Sequence, residues 1–597
     1  MRLQKRKPST SGARPSLEQV SKQRIFKYVG FLAFTIIAIA FFTSSPHRRE
    51  AVADLKLFHH APTHKPPQQK NSTSGDIHWF SDLKWLNPFS TSITFDDDRS
   101  VLPPLKARPS IYTFYDAGAE KDENVKAAEN NLLLIWRRAW WAQGFRPVVL
   151  GRSEAMSHPL YGSLASKKLP AQIESDVLRW LAWAQMGGGI LANWLCLPMG
   201  ARDERLLKSL RQGKYPELTR YDGLSSGLFT GERDDIDRAL NEAFKSEHLK
   251  DTKALIETLT LKVDKKSSSL AFYDANTIAE KYKAISTELT GYKSRGLNAL
   301  GDLILSHLHQ TFQSRFPEGI AVLTPYPHKA HLITHTAYSL ASTLRDCPSS
   351  PIESSCPPNQ PTCKPCSHGH GPPILTPDAY TNSSSIYTIG TTPHPYTFAS
   401  LLSRTREITT RHIRRDTARD RWLSVVTQKV LGAKRSGPSR LVGFKESVAG
   451  ESGAARSFWI LDDPQLARKD IEYHFGFTLP TFNVTDDTLP PLPEATVEHK
   501  PSRKEKKAKE KDFQLQKDLM GAAKEIVKRK PKRKGKNGVK EMVEAWNLAD
   551  TEAWRFVRAY RARERVIREK WEQEERKFAG GGEGEAGWRW FDRRRAV

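Results

Sequence analysis

The chain has 597 residues, a formal net charge of +26 and five cysteines. That length leaves room for a large buried core or two domains, and the cysteine count excludes a disulfide-dense scaffold. The positive surplus would suit nucleic acid or an anionic surface, but it is concentrated in the N-terminal tail and beyond residue 499, so no nucleic-acid partner is expected for the middle of the chain.

Lysine and arginine dominate residues 1–27, where Glu18 is the one acid. Tyr28 to Phe42 then follow without a charge, and Ile25 and Phe26 extend the apolar run if Lys27 snorkels toward the head groups. A span over 25–43 reaches the lower bound of roughly 17 residues for a bilayer-crossing helix. Basic residues precede it, so the positive-inside rule leaves 1–24 in the cytosol and the bulk of the chain in a lumen. A short span suits a thin early-secretory bilayer. The expectation is a single-pass type II protein of the Golgi or ER membrane, with Asn71, Asn382 and Asn483 as glycosylation acceptors. Residues 44–108, rich in Pro, Ser, His and Lys, read as a stem that buries little.

The folded core is expected from residue 109. Residues 110–116 alternate as a first strand, 124–141 have helical spacing, and 144–150 make a second strand. In 173–198, Val177, Leu178, Leu181, Ala182 and Ala184 give a helix an apolar face. Ser175 is its expected N-cap, and Asp176 suits its positive end. Gly187, Gly188 and Gly189 turn the chain into an apolar strand over 190–197. Strand, helix, strand, helix, strand is how a nucleotide-binding α/β domain begins, assigned here to 109–345. Ligands of such sheets gather at the carboxyl ends of the strands, which would place Asp116 and residues 192–195 at one cleft; a turn cap is the other reading of Asp116.

The order Ser175-Asp176, Arg179, apolar helix, glycines, strand and proline resembles the sugar-nucleotide site of the Asp-x-Asp glycosyltransferases. The yeast-type α-1,6-mannosyltransferases and the glucosylating toxins are the members it is most similar to. The resemblance implies a GT-A-like, Rossmann-type nucleotide-sugar domain that passes a hexose, mannose in the nearest case, from a nucleotide sugar to a glycan hydroxyl with the help of Mn²⁺. It also implies that Asp176 and Arg179 hold the donor sugar and ribose. Counted from Arg179, the two acidic positions of the metal motif are Ala192 and Trp194; counted from Gly188-Gly189 they are Asn193 and Leu195. Neither register offers a carboxylate, and Asn193 brings one neutral oxygen to a hard cation. Asn193 is therefore placed near the phosphates, and the metal ligands stay unassigned. His335-x-x-x-Ser339 looks like the family's late His-x-x-x-Ser-Trp element, with Leu340 for the Trp, which places His335 and Ser339 beside the diphosphate. His331 and His335 also stand at i, i+4, a spacing open to a transition metal.

Residues 220–230 read as a further strand, and Asp234, Asp235 and Asp237 as acids at a helix start, with a relocated metal site as the other reading. Cys347, Cys356, Cys363 and Cys366, near His368 and His370, form a Pro-rich insertion over 346–384. Zinc is one reading; two disulfides that leave Cys196 free suit a lumenal chain better. Residues 385–477 complete the core. They include a basic helix over 404–431 whose Arg414 and Arg415 are candidates to neutralise the donor diphosphate in place of a metal; an ion-paired solvated face is the alternative. Residues 478–597 read as a charged, helical and partly disordered tail. Its helix over 539–577 either folds back or meets partner transferases. Two functions stay open: a membrane-anchored glycosyltransferase, or an inactive scaffold of the same fold that binds glycans or partners.

Overall fold

The computed structural model describes residues 63–66, 102–103, 105–117, 121–252, 254–264, 269–323, 332–360, 363–367, 369, 371–377, 380–392, 437–461, 467–480, 503, 507 and 538–578. In chain order its principal elements are β1 (Ser110–Phe114), α1 (Glu123–Ala142), β2 (Arg146–Leu150), α2 (Ala171–Gln185), β3 (Gly188–Ala192), β4 (Cys196–Pro198), β5 (Thr219–Tyr221), β6 (Leu228–Glu232), α3 (Arg233–Lys245), β7 (Lys262–Asp264) and β8 (Leu270–Phe272). There follow α4 (Lys293–Arg315), β9 (Gly319–Leu323), α5 (Leu332–Arg345), β10 (Ile374–Leu375), β11 (Ile386–Thr392), α6 (Gly437–Ala449), β12 (Ser457–Leu461), α7 (Arg468–Phe475) and α8 (Gly538–Glu575).

The α/β class expected from the alternation holds. A six-stranded mixed sheet has the order β2-β1-β3-β6-β5-β7. β2, β1 and β3 run parallel, and β6 lies antiparallel to both β3 and β5. Alternate side chains enter different cores, as the pleat requires. Ile111 and Ile190 pack with α1 and α4, while Tyr112 and Leu191 pack with α2 and α3. Asp122 starts α1 by accepting the amides of Asn124 and Val125 at 2.9 and 3.3 Å.

A second sheet was not anticipated. It has the order β10-β9-β11-β12, with every pair parallel. β9 and β12 are buried at every position, as parallel strands covered on both faces must be. Ile320, Val322, Ile389 and Ile460 join the α1–α4 core on one side. Leu323, Trp459 and Leu461 face the other way and are covered by Phe444 and Val448 of α6 and by Trp554, Phe556 and Val557 of α8. The helix in the C-terminal tail therefore folds back and closes a sheet, one of the two roles the sequence left open to it.

Two local expectations are corrected, and a third is met. α2 begins at Ala171 with Pro170 at its N-cap, so Ser175 lies inside the helix and caps nothing; the fixed φ of the proline sets the start earlier. The strand expected over 190–197 breaks at Asn193, and Cys196–Pro198 pairs with β8 in a separate two-stranded sheet. The four insertion cysteines bond as Cys347–Cys366 and Cys356–Cys363, leaving Cys196 buried and free, so they are disulfides and not a zinc site. The candidate span 25–43, the basic helix with Arg414 and Arg415, and His331, His368 and His370 lie outside the described residues. Among the described residues, no helix is long and apolar enough to cross a membrane.

The stem is not wholly free of the core either. The ring of His64 stacks on Phe578 at 3.4 Å, with Nδ1 2.9 Å from Glu154 Oε1 and Nε2 3.4 Å from Glu575 Oε2. Burial works against the imidazolium, but the two carboxylates outweigh it and raise the His64 pKa; Glu154, though buried, is held below the usual carboxylate range by His64. A histidine pKa raised by folding adds stability that is fully present below the unfolded value and is lost as pH rises through the folded one. The melting temperature of the wild type should therefore exceed that of His64→Phe most at about pH 6, and the margin should shrink toward about pH 9. A margin that is flat across this range would show that the ring acts by packing alone.

Candidate functional site

β1 and β3 are parallel, with Tyr112 opposite Leu191, so their carboxyl ends share one edge of the sheet. Asn193 follows β3 there, and its N–H donates to the carbonyl of Gly227 at 2.8 Å. Next to Gly227, the carbonyl of Ser226 accepts from Arg179 Nη2 at 2.8 Å. Asp176 lies one helical turn from Arg179, with Oδ1 3.9 Å from Nη1; its Oδ2 accepts the N–H of Leu255 at 3.0 Å. The fold thus brings Asp176, Arg179 and Asn193 into one neighbourhood around the turn before β6.

The electrostatics there are those of a buried structural tie. Arg179 lies over the Phe229 ring at 5.5 Å. Burial lowers its pKa, with Asp176 opposing. Burial also pushes the Cys196 thiol up to about 12, with Arg179 opposing, so that thiol is no nucleophile. The side chains of Arg179 and Asp176 are 11% and 18% exposed. A carboxylate on a backbone N–H and a guanidinium on a backbone carbonyl fasten two loops to α2 and leave little of either group for a sugar.

The residues do not fit Mn²⁺. Asn193 Oδ1 accepts the N–H of Leu195 at 2.9 Å, closing its own turn. Among the described residues, no group of three or more His, Cys, Asp or Glu side chains could hold a metal ion. Asp234 and Asp235 stand in the first turn of α3, and Asp235 and Asp237 pair with Arg238 and Arg233 at 3.1 and 3.5 Å, the helix-start role the sequence suggested.

The remaining candidates stand on other elements. Asp116 pairs with Arg152 at 3.2 Å near the end of β1. His335 and Ser339 stand on α5, which packs against the second sheet. His335 is 7% exposed, and the Ser339 carbonyl accepts from Thr343 Oγ1 at 3.0 Å. The first sheet positions Asp176 and the second positions His335, so the sequence motif does not by itself make one diphosphate site of them.

A cavity opens elsewhere, where the ends of α1 and α4 meet β11, β12, α7 and α8. Its lining includes Arg202, Arg315, Arg561 and His474 but neither Asp176 nor Arg179. Sequence reasoning missed these residues because they come from separate segments with no spacing to link them.

Residues 73–593 match the family described as a domain of unknown function, DUF8765. The chain belongs to that family. No curated protein and no solved structure matches it. The span of the DUF8765 match takes in α8, in accord with the packing of that helix over the second sheet.

Proposed function

We propose that this DUF8765 chain is a binding protein on a GT-A-like scaffold, held in a secretory compartment by the apolar segment 25–43, and that it does not turn over nucleotide sugars with Mn²⁺. The observation that carries this is the engagement of Asp176 and Arg179 with Leu255 N–H and Ser226 carbonyl, the two groups that a transferase of the resembling family would turn toward its donor. Two disulfides suit an oxidising lumen. The transferase reading keeps one observation in its favour, the convergence of Asp176, Arg179 and Asn193 at a strand edge.

The experiment is a transfer assay on the purified chain with GDP-mannose and other nucleotide sugars, a glycan acceptor, and either Mn²⁺ or chelator. No transfer above background is expected. Asp176→Ala should lower the melting temperature, because it removes the acceptor of a part-buried amide. Mn²⁺-dependent transfer that is lost in Asp176→Asn, with the fold retained, would overturn the proposal and restore the transferase.

A further inference from the structure

Residues 63–66 meet the core through one side chain. His64 sits between the short helix Arg152–Met156, which supplies Glu154, and the end of α8, which supplies Glu575. The side chains of His64, Glu154 and Glu575 are 8%, 2% and 5% exposed, whereas Thr63, Lys65 and Pro66 are exposed. Besides its ring contacts, His64 donates its backbone N–H to Glu154 Oε1 at 2.9 Å. The Glu154 carboxylate is also met from its own helix start, by the Gly151 N–H at 2.7 Å and the Ser153 hydroxyl at 3.1 Å. Glu575 has no such support. Its Oε1 is buried with no hydrogen-bond partner among the described residues, and its Oε2 has the His64 ring.

This geometry asks for an imidazolium. Each ring nitrogen faces a carboxylate oxygen, and only the doubly protonated ring donates from both. Either neutral tautomer turns a lone pair toward one of the two acids. A carboxylate kept from water without a cation is unfavourable, and Glu575 has no other donor among the described residues. The neighbouring cations are engaged or exposed. Arg152 pairs with Asp116 at 3.2 Å and Arg146 with Glu574 at 2.9 Å, while Arg576 and Lys577 are exposed. Burial raises the Tyr112 phenol, with Glu575 adding to the effect, so it stays neutral.

We propose that residues 63–66 are a proton-operated latch, closed while His64 is an imidazolium held by Glu154 and Glu575 and open once the ring is neutral. Closed, it fastens two elements at once, because the ring stacks on Phe578 just past α8 while its edge reaches Glu154. It thereby helps to pin the end of α8 at the edge of the first sheet, where Trp571 Nε1 donates to the Pro147 carbonyl of β2 at 3.0 Å. Opening takes the ring off Phe578 and releases residues 63–66 from the core. The closed state is favoured between the lowered range of Glu154 and the raised one of His64: it is lost as pH rises through the folded His64 value, and it loosens again when acid protonates Glu154. On the secretory reading the latch tightens as a lumen acidifies, but it rests on the contacts of His64 alone.

The test is hydrogen exchange of the full-length chain, read by mass spectrometry from about pH 6 to about pH 9, with amide rates corrected for their intrinsic pH dependence. Exchange at the imidazole C2 carbon should give His64 a pKa above the ordinary value of about 6.5. The His64 amide should exchange about tenfold faster at the upper pH than at the lower one, as the loss of a hydrogen bond to a charged group implies. Glu575→Gln should move the opening to lower pH, with a melting temperature in the open range that is unchanged or higher. His64→Gln should abolish the pH dependence of exchange at residue 64. A His64 pKa at or below the ordinary value, an amide with one corrected rate across the range, or an opening that Glu575→Gln leaves in place would overturn the proposal.

Discussion

Asp470→Ala is expected to lower stability by ~3 kcal/mol and to loosen α8 from the core. Asp470 is 12% exposed and binds both Arg565, at 2.7 Å, and Arg568, at 2.9 Å and 5% exposed. Without it, Arg568 keeps Glu572 at 3.0 Å, which is why the expected loss sits at the low end of the range for a broken buried pair. The three aromatic reporters lie where the change would be felt: Trp554 and Trp571 on α8, and Trp459 beneath it. Denaturant unfolding followed by tryptophan fluorescence reads the loss, and proteolysis within α8 should accelerate. The matched control is Asp235→Ala. Its partner Arg238 lies 3.1 Å away but is 67% exposed, so a change within about 0.5 kcal/mol is expected. Equal effects of the two substitutions would mean that α8 is not anchored through Asp470.

The contrast shows what a sequence can and cannot convey. The run β1-α1-β2-α2-β3 was legible because each element carries its own period: Ile111 and Tyr112 alternate, and Leu132 to Trp140 recur at helical spacing. The second sheet was not legible as a separate layer, since uniformly buried strands such as Gly319–Leu323 and Ser457–Leu461 show no alternation. In α8 the apolar residues Trp554, Val557 and Trp571 were legible, but the sheet they cover was not. The pairing of Arg565 and Arg568 does not show in the sequence, because their shared partner Asp470 lies 95 and 98 residues away.

The long-range partners of the candidate site residues are hidden in the sequence for the same reason. Asp176 and Arg179 announce a mutual i, i+3 pair, but the groups that occupy them, Leu255 N–H and Ser226 carbonyl, are 79 and 47 residues distant. Ser175 was read as a cap because cap preference is local, while the upstream Pro170 decides where α2 begins. Long-range partners decide whether a carboxylate or guanidinium is free for chemistry, and spacing along the chain does not contain them.

Gly188 carries the second large effect. Its φ is +90°, and a Cβ built there would stand 2.6 Å from the Gly231 carbonyl oxygen and 3.0 Å from the Arg233 amide nitrogen. Both are backbone atoms of the β6–α3 junction, and Gly188 pairs with Glu232 across it. Neither can give way without opening the antiparallel pairing, so Gly188→Ala should cost ~3 kcal/mol or more, the sum of a strained φ and a backbone clash. Gly187 separates the two terms. Its φ is +84°, but a Cβ there meets nothing within 4 Å, and Gly187→Ala should cost only about 1–2 kcal/mol. Because β6 follows directly on the turn that receives Arg179 and Asn193, the Gly188 variant should also expose Cys196, which is buried in the wild type, to thiol reagents. If the two glycine variants melt alike and Cys196 stays protected in both, close approach of β3 to β6 is not what holds this neighbourhood together.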